Sequence, residues 1–93
     1  MADLLSEGEI ESRLVGLSWK REGDELFREW QFENFAEAIA FVNRVADAAE
    51  GANHHPDIFV HGWNKARLSL KNHSAGGLTD PDFEMAKVFD GLS

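Results

Sequence analysis

Between residues 35 and 50 the apolar side chains Phe35, Ala38, Ile39, Val42, Val45, Ala46 and Ala49 recur at helical spacing, which predicts a helix with one broad apolar face. Such a face has to be covered, and the flanking segments carry the pattern that covers it. In residues 25–33, Leu26, Trp30 and Phe32 alternate with Phe27, Glu29 and Gln31, interrupted on the apolar side only by Arg28. In residues 66–70, Ala66, Leu68 and Leu70 alternate with Arg67 and Ser69. A two-residue period is that of a strand with one side buried, so both segments predict strands lying under the helix.

Capping chemistry marks the helix starts. Ser6 with Glu9, Asn34 with Glu37, and Thr79 with Asp82 each set an oxygen-bearing residue three positions before an acid, which then faces free amides and the positive end of the dipole. Pro81 falls in the first turn of the last helix, where the missing amide costs nothing. A short strand at residues 58–61 pairs with residues 66–70 through a turn at Gly62, and Gly76-Gly77 marks a tight loop before the last helix. The expected fold is α+β, an antiparallel-dominated sheet with helices on one face, in the order α-β-α-β-β-α.

The bulk properties narrow the function classes. With 93 residues, seven Phe and three Trp, the chain supports one domain, residues 1–93, with one core, and a ligand pocket competes with that core unless subunits associate. A formal charge of −8 without a Lys/Arg cluster argues against a nucleic-acid partner. No cysteine is present, which excludes disulfides and thiolate chemistry and suits a reducing compartment. The acidic N-terminus differs from a signal peptide and no stretch reaches membrane-spanning length, so the expectation is a cytoplasmic protein without membrane contact.

Three of the four histidines gather in two short stretches: Glu50-Gly-Ala-Asn-His-His-Pro56, and Lys71-Asn-His-Ser-Ala-Gly-Gly-Leu78. His54 and His55 occupy a helix exit stiffened by Pro56, and His73 follows a strand end. Antiparallel pairing of the two intervening strands brings His55 and His73 to one edge. Imidazole titrates nearest to cellular pH, so a group of histidines holds one protonated and one neutral member together, the pair that acid–base dehydration requires. Three other readings stand beside this one: solvated loop residues; a metal site built from His54, His55, His61 and His73; and, for Trp19, Trp30 and Trp63, plain packing instead of stacking on a ligand. Glu50 and Asp82 are by default helix-closing and capping acids.

The combination resembles the pterin-4a-carbinolamine dehydratase family, whose mammalian members also act as dimerisation cofactors of a homeodomain transcription factor. The resemblance runs from Leu17-Ser-Trp19 through residues 27–35 and 40–45, the stretch Glu50 to Pro56, Asn64-Lys65, and His73 to Asp82. It implies an alpha/beta plait-like domain that assembles into homodimers or homotetramers, with a small-molecule pterin as substrate, no metal and no cofactor. The implied catalytic residues are His54, His55 and His73. His55 and His73 would carry the proton transfers, and His54 would hold the hydroxyl and orient the ring. Glu50, Trp19, Trp63 and Asp82 are the implied substrate-binding residues. The implied reaction is dehydration of 4a-hydroxytetrahydrobiopterin to quinonoid dihydropterin, which supports tetrahydrobiopterin recycling and links the chain to an aromatic amino acid hydroxylase. A non-catalytic interaction or assembly factor of the same fold is the alternative. The chain departs from the animal proteins after His-His-Pro, where it is one residue longer and lacks a tryptophan, and this alters the turn near Gly62.

Overall fold

In the computed structural model, which describes residues 4–72 and 75–93, the chain forms an α+β domain: three helices on one face of a four-stranded antiparallel sheet. The elements are α1 (Glu7–Leu14), β1 (Lys20–Glu22), β2 (Glu25–Gln31), α2 (Phe35–Ala52), β3 (Asp57–His61), β4 (Lys65–Leu70) and α3 (Asp80–Asp90). The strands lie in the order β1-β2-β4-β3, leaving β1 and β3 as the two edges.

The observed order is α-β-β-α-β-β-α, one strand more than the sequence pattern implied. The added strand, Lys-Arg-Glu, has no apolar residue to alternate and so carries no periodic signal. It pairs with β2 through Gly23-Asp24, with Gly23 at φ 59, a conformation that glycine adopts without a Cβ penalty. β2 is also shorter than expected. It ends at Gln31, because Asn64 takes over the next residue: the Phe32 amide donates to the Asn64 carbonyl (2.8 Å), and the Asn64 side chain donates to the Phe32 carbonyl (2.9 Å).

The core lies between the sheet and the helices. Leu26, Trp30, Ala66, Leu68 and Leu70 point into it from the strands, Ala38, Phe41, Val45 and Ala49 from α2, and Phe83, Met85, Ala86 and Phe89 from α3. Arg28, the polar residue on the inward side of β2, is accommodated by an ion pair with Asp90 at the end of α3 (2.6 Å) and by stacking over Trp30 (4.5 Å). Among the described residues no helix covers the opposite face of the sheet. There Arg67 lies over Phe27 (4.2 Å), and Phe59 stacks on His61 (4.8 Å).

Candidate functional site

The exit of α2 sets the histidines. Asn53 caps the helix in the left-handed region (φ 51), which asparagine tolerates better than most residues, and its amide donates to the Ala49 and Glu50 carbonyls. The His54 amide donates to Ala49 as well (3.1 Å), which fixes the direction in which His54, His55 and Pro56 leave the helix before β3 begins.

Two histidine–carboxylate pairs follow from that path. His54 Nε2 lies 2.8 Å from Asp82 Oδ1, and this carboxylate is fully buried in the first turn of α3. Asp82 Oδ2 accepts from the Thr79 amide (2.8 Å) and the Thr79 hydroxyl (3.0 Å). A carboxylate accepts, so we assign the ring hydrogen to Nε2 of His54, which leaves Nδ1 an acceptor. His55 Nε2 lies 2.7 Å from Glu50 Oε1, but this pair is solvent-exposed, with the side chains 54% and 78% accessible. One imidazole is thus held by a buried partner and its neighbour by an exposed one.

The remaining residues divide between the two ends of the sheet. His73 lies outside the described residues. Its flanks close a loop at the His55 end: the Gly76 amide donates to the Asn72 carbonyl (2.9 Å), and the Ala75 amide to the Asn72 side chain (3.0 Å). Within the loop Gly76 takes the positive φ expected of it (78°). From outside, Leu4 packs on Gly77, and the Leu5 amide donates to the Leu78 carbonyl (3.0 Å), so the N-terminal segment straps the loop.

Neither tryptophan expected at the site is brought to the histidines within the chain. Trp19 is 3% exposed, and its Nε1 donates to Asp90 (2.7 Å) at the opposite end of α3 from Asp82, roughly 12 Å away along the helix axis at about 1.5 Å per residue. Trp19 is therefore a core residue, edge-on to Trp30. Trp63 sits in the β3–β4 connection with φ 59, and β3 separates it from His55 by roughly 15–20 Å at about 3.3 Å per residue. In this turn Gly62 and Trp63 are both left-handed. His61 is also at that end, bonded to Glu29, and so separated from the His54–His55 pair. Among the described residues no three His, Asp or Glu side chains converge to hold a metal ion.

Thr79 is a residue that sequence reasoning read only as a helix start. Its capping spacing with Asp82 was visible, but nothing in that spacing indicated that the carboxylate has a second oxygen left for His54. Two surface hollows lie away from the histidines, one of about 340 Å³ lined by Ser18, Lys20, Phe27, Arg28 and Glu29, the other of about 300 Å³ lined by Phe32, Glu37, Ala40, Arg44 and Ser93. Chemically, the two adjacent imidazoles, each bonded to a carboxylate through Nε2, suit acid–base transfer to a ligand.

Comparison with known proteins identifies the family. The family model described as pterin 4 alpha carbinolamine dehydratase matches residues 3–92. A relative from Roseiflexus castenholzii, provisionally named pterin-4-alpha-carbinolamine dehydratase, is 50% identical over 93 residues and 99% of each chain. One of the same provisional name from Nocardia farcinica is 48% identical over 92 residues, covering 98% of this chain and 96% of its own. Among solved structures, a transcriptional coactivator/pterin dehydratase from Brucella melitensis superposes with a TM-score of 0.90 at 29% identity, covering 97% of this chain and 98% of that one. A pterin dehydratase-like protein identified as a RuBisCO assembly factor in the alpha-carboxysome superposes with a TM-score of 0.68 at 25% identity, covering 83% and 90%. With a match along almost its whole length, this chain belongs to the pterin 4 alpha carbinolamine dehydratase family.

Proposed function

We propose that the chain is a hydro-lyase that dehydrates 4a-hydroxytetrahydrobiopterin to quinonoid dihydropterin, with His54, His55 and His73 as its acid–base groups. The observation that carries this reading is the pair of adjacent imidazoles at one sheet edge, each bound to a carboxylate through Nε2. In the reaction a protonated imidazole gives its proton to the 4a-hydroxyl and the C4a–O bond breaks as water leaves. The N5 lone pair forms the C4a=N5 bond, and a neutral imidazole takes the N5 proton. The buried Asp82 holds His54 in one orientation, which suits it to binding the hydroxyl, while His55 and His73 carry the protons. Glu50 orients His55, and paired acid and base suffice without a metal or cofactor.

On this reading the chain works in the cytoplasm as a homodimer or homotetramer and returns pterin to an aromatic amino acid hydroxylase. The test follows enzymatically generated 4a-hydroxytetrahydropterin by ultraviolet absorbance against its spontaneous dehydration. Acceleration that is lost in His55→Ala or His73→Ala supports the enzyme, and folded wild-type protein that leaves the rate unchanged refutes it. The similarity to an assembly factor favours one second reading, a non-catalytic interaction protein of the same fold, and that null result would favour it.

A further inference from the structure

We propose that Asn72 is a positioning residue for His54, which it reaches through the Thr79 hydroxyl and the Asp82 carboxylate, tying that pair to the stretch that flanks His73. Asn72 lies two residues past the end of β4, and its backbone and side-chain polar groups are all engaged within residues 75–79. The backbone amide donates to the Gly77 carbonyl (3.3 Å), and the backbone carbonyl accepts from the Gly76 amide (2.9 Å). In the side chain, the oxygen accepts from the Ala75 amide (3.0 Å) and the nitrogen donates to the Thr79 hydroxyl (3.5 Å). Helix capping accounts for Thr79 and Asp82, and loop closure for the other Asn72 bonds. Neither requires the bond from Asn72 to Thr79.

What each group can donate fixes the direction of the series. A hydroxyl has one hydrogen and two lone pairs, and a carboxylate only accepts. The Thr79 hydroxyl therefore gives its hydrogen to Asp82 Oδ2 (3.0 Å) and accepts from Asn72, while Asp82 Oδ1 meets His54 Nε2 (2.8 Å). Every donor points toward the carboxylate: amide to hydroxyl, hydroxyl to carboxylate, imidazole to carboxylate. Asparagine offers, in one short side chain, both an acceptor for the Ala75 amide and a donor for Thr79. Aspartate has the same shape and lacks the donor.

Burial makes the series effective. Thr79 and Asp82 are fully buried, Leu78 lies buried beside them, and Leu4 forms a backbone bridge with Thr79. With no surface at the Thr79 hydroxyl, water cannot replace a bond that is lost there, and polar groups linked in such a setting hold one another in place. Asn72 itself is half-buried, at the rim of this network. The effect on turnover rests on the dehydratase reading, but the hydrogen-bond link to His54 does not.

Asn72→Asp tests the bond to Thr79 by itself, because it keeps the oxygen for the Ala75 amide and removes the donor. Exchange protection of the Ala75 amide is expected to stay, and the proton and nitrogen-15 shifts of the His54 ring to change. Turnover should follow the ring: kcat falls about two- to fivefold, the low end for one neutral hydrogen bond because the contact is long, with KM within about twofold. A His54 ring with wild-type shifts overturns the link, and wild-type kcat beside a shifted ring overturns the positioning role. Since Asn72→Asp also adds a charge, a second comparison leaves charge out. Asn72→Ala and Thr79→Val should each move the His54 ring, and Asn72→Ala made in the Thr79→Val background should add nothing. A further shift in that double variant overturns the route through Thr79. In a chain whose wild type is inactive, shifted rings in the single variants uphold the link and place the failure in the dehydratase reading.

Discussion

Replacing Asp82 by asparagine is the sharpest perturbation of the site. The aspartate is fully buried and takes three donors: the Thr79 amide, the Thr79 hydroxyl and His54 Nε2. Asparagine has nearly the same shape but one acceptor oxygen. If that oxygen keeps the Thr79 amide and with it the start of α3, its NH2 faces His54 and the imidazole must present a bare Nε2. The hydrogen then moves to Nδ1, which ceases to be an acceptor. A hydrogen bond to a charged group contributes about 1.5–3 kcal/mol, so Asp82→Asn is expected to lower unfolding stability by about 2 kcal/mol while the chain remains folded. At about 1.4 kcal/mol per decade, the same loss at the reacting geometry lowers kcat roughly ten- to a hundredfold. Urea denaturation reads the first number, the dehydration assay the second, and nitrogen-15 shifts of the His54 ring the tautomer. A variant with wild-type kcat and an unchanged His54 tautomer would refute the claim that this carboxylate sets the imidazole.

Glu50→Gln should behave differently, because the Glu50–His55 pair is exposed: stability should change by less than about 0.5 kcal/mol in urea titration, with the effect confined to turnover. Leu68→Ala empties a fully buried position on β4 and should cost about 2–5 kcal/mol by the same titration, the spread set by how far α2 and α3 can close over the cavity. Helix α1 should loosen first in acid. The Arg21 guanidinium hydrogen-bonds Glu7, and the Ser6 amide hydrogen-bonds Glu9, and both carboxyls are thereby held below the usual carboxylate range. Their contribution is present above the ordinary glutamate value and is lost as pH falls through the lowered folded values, so exchange protection of the Ile10 amide should drop below the ordinary glutamate range while protection of α2 persists. Equal loss in both helices would refute it.

The parts of the fold that were legible in the sequence are those with a repeated signal. α2 repeats its apolar period over four turns, β4 repeats the two-residue period, and the spacings Ser6–Glu9, Asn34–Glu37 and Thr79–Asp82 sit at the three helix starts. β1 was hidden because an edge strand of Lys-Arg-Glu has no buried side, although Gly23-Asp24 is a recognised hairpin signal. At the site, the path from His54 to Pro56 was legible because a helix exit and a proline dictate it. Trp63 was not, because closeness to a motif along the chain says nothing about which end of a hairpin a residue occupies. The spacing reads Asp82 as a capping acid and only the resemblance sets it at the site; neither gives a sign of its bond to His54.

That double duty of Asp82 has a consequence for how the protein fails on heating. The carboxylate that starts α3 is the one that holds His54, so the last helix cannot undock while the imidazole stays in place. Thermal inactivation and global melting should then coincide, leaving no temperature interval in which the chain is folded but inert.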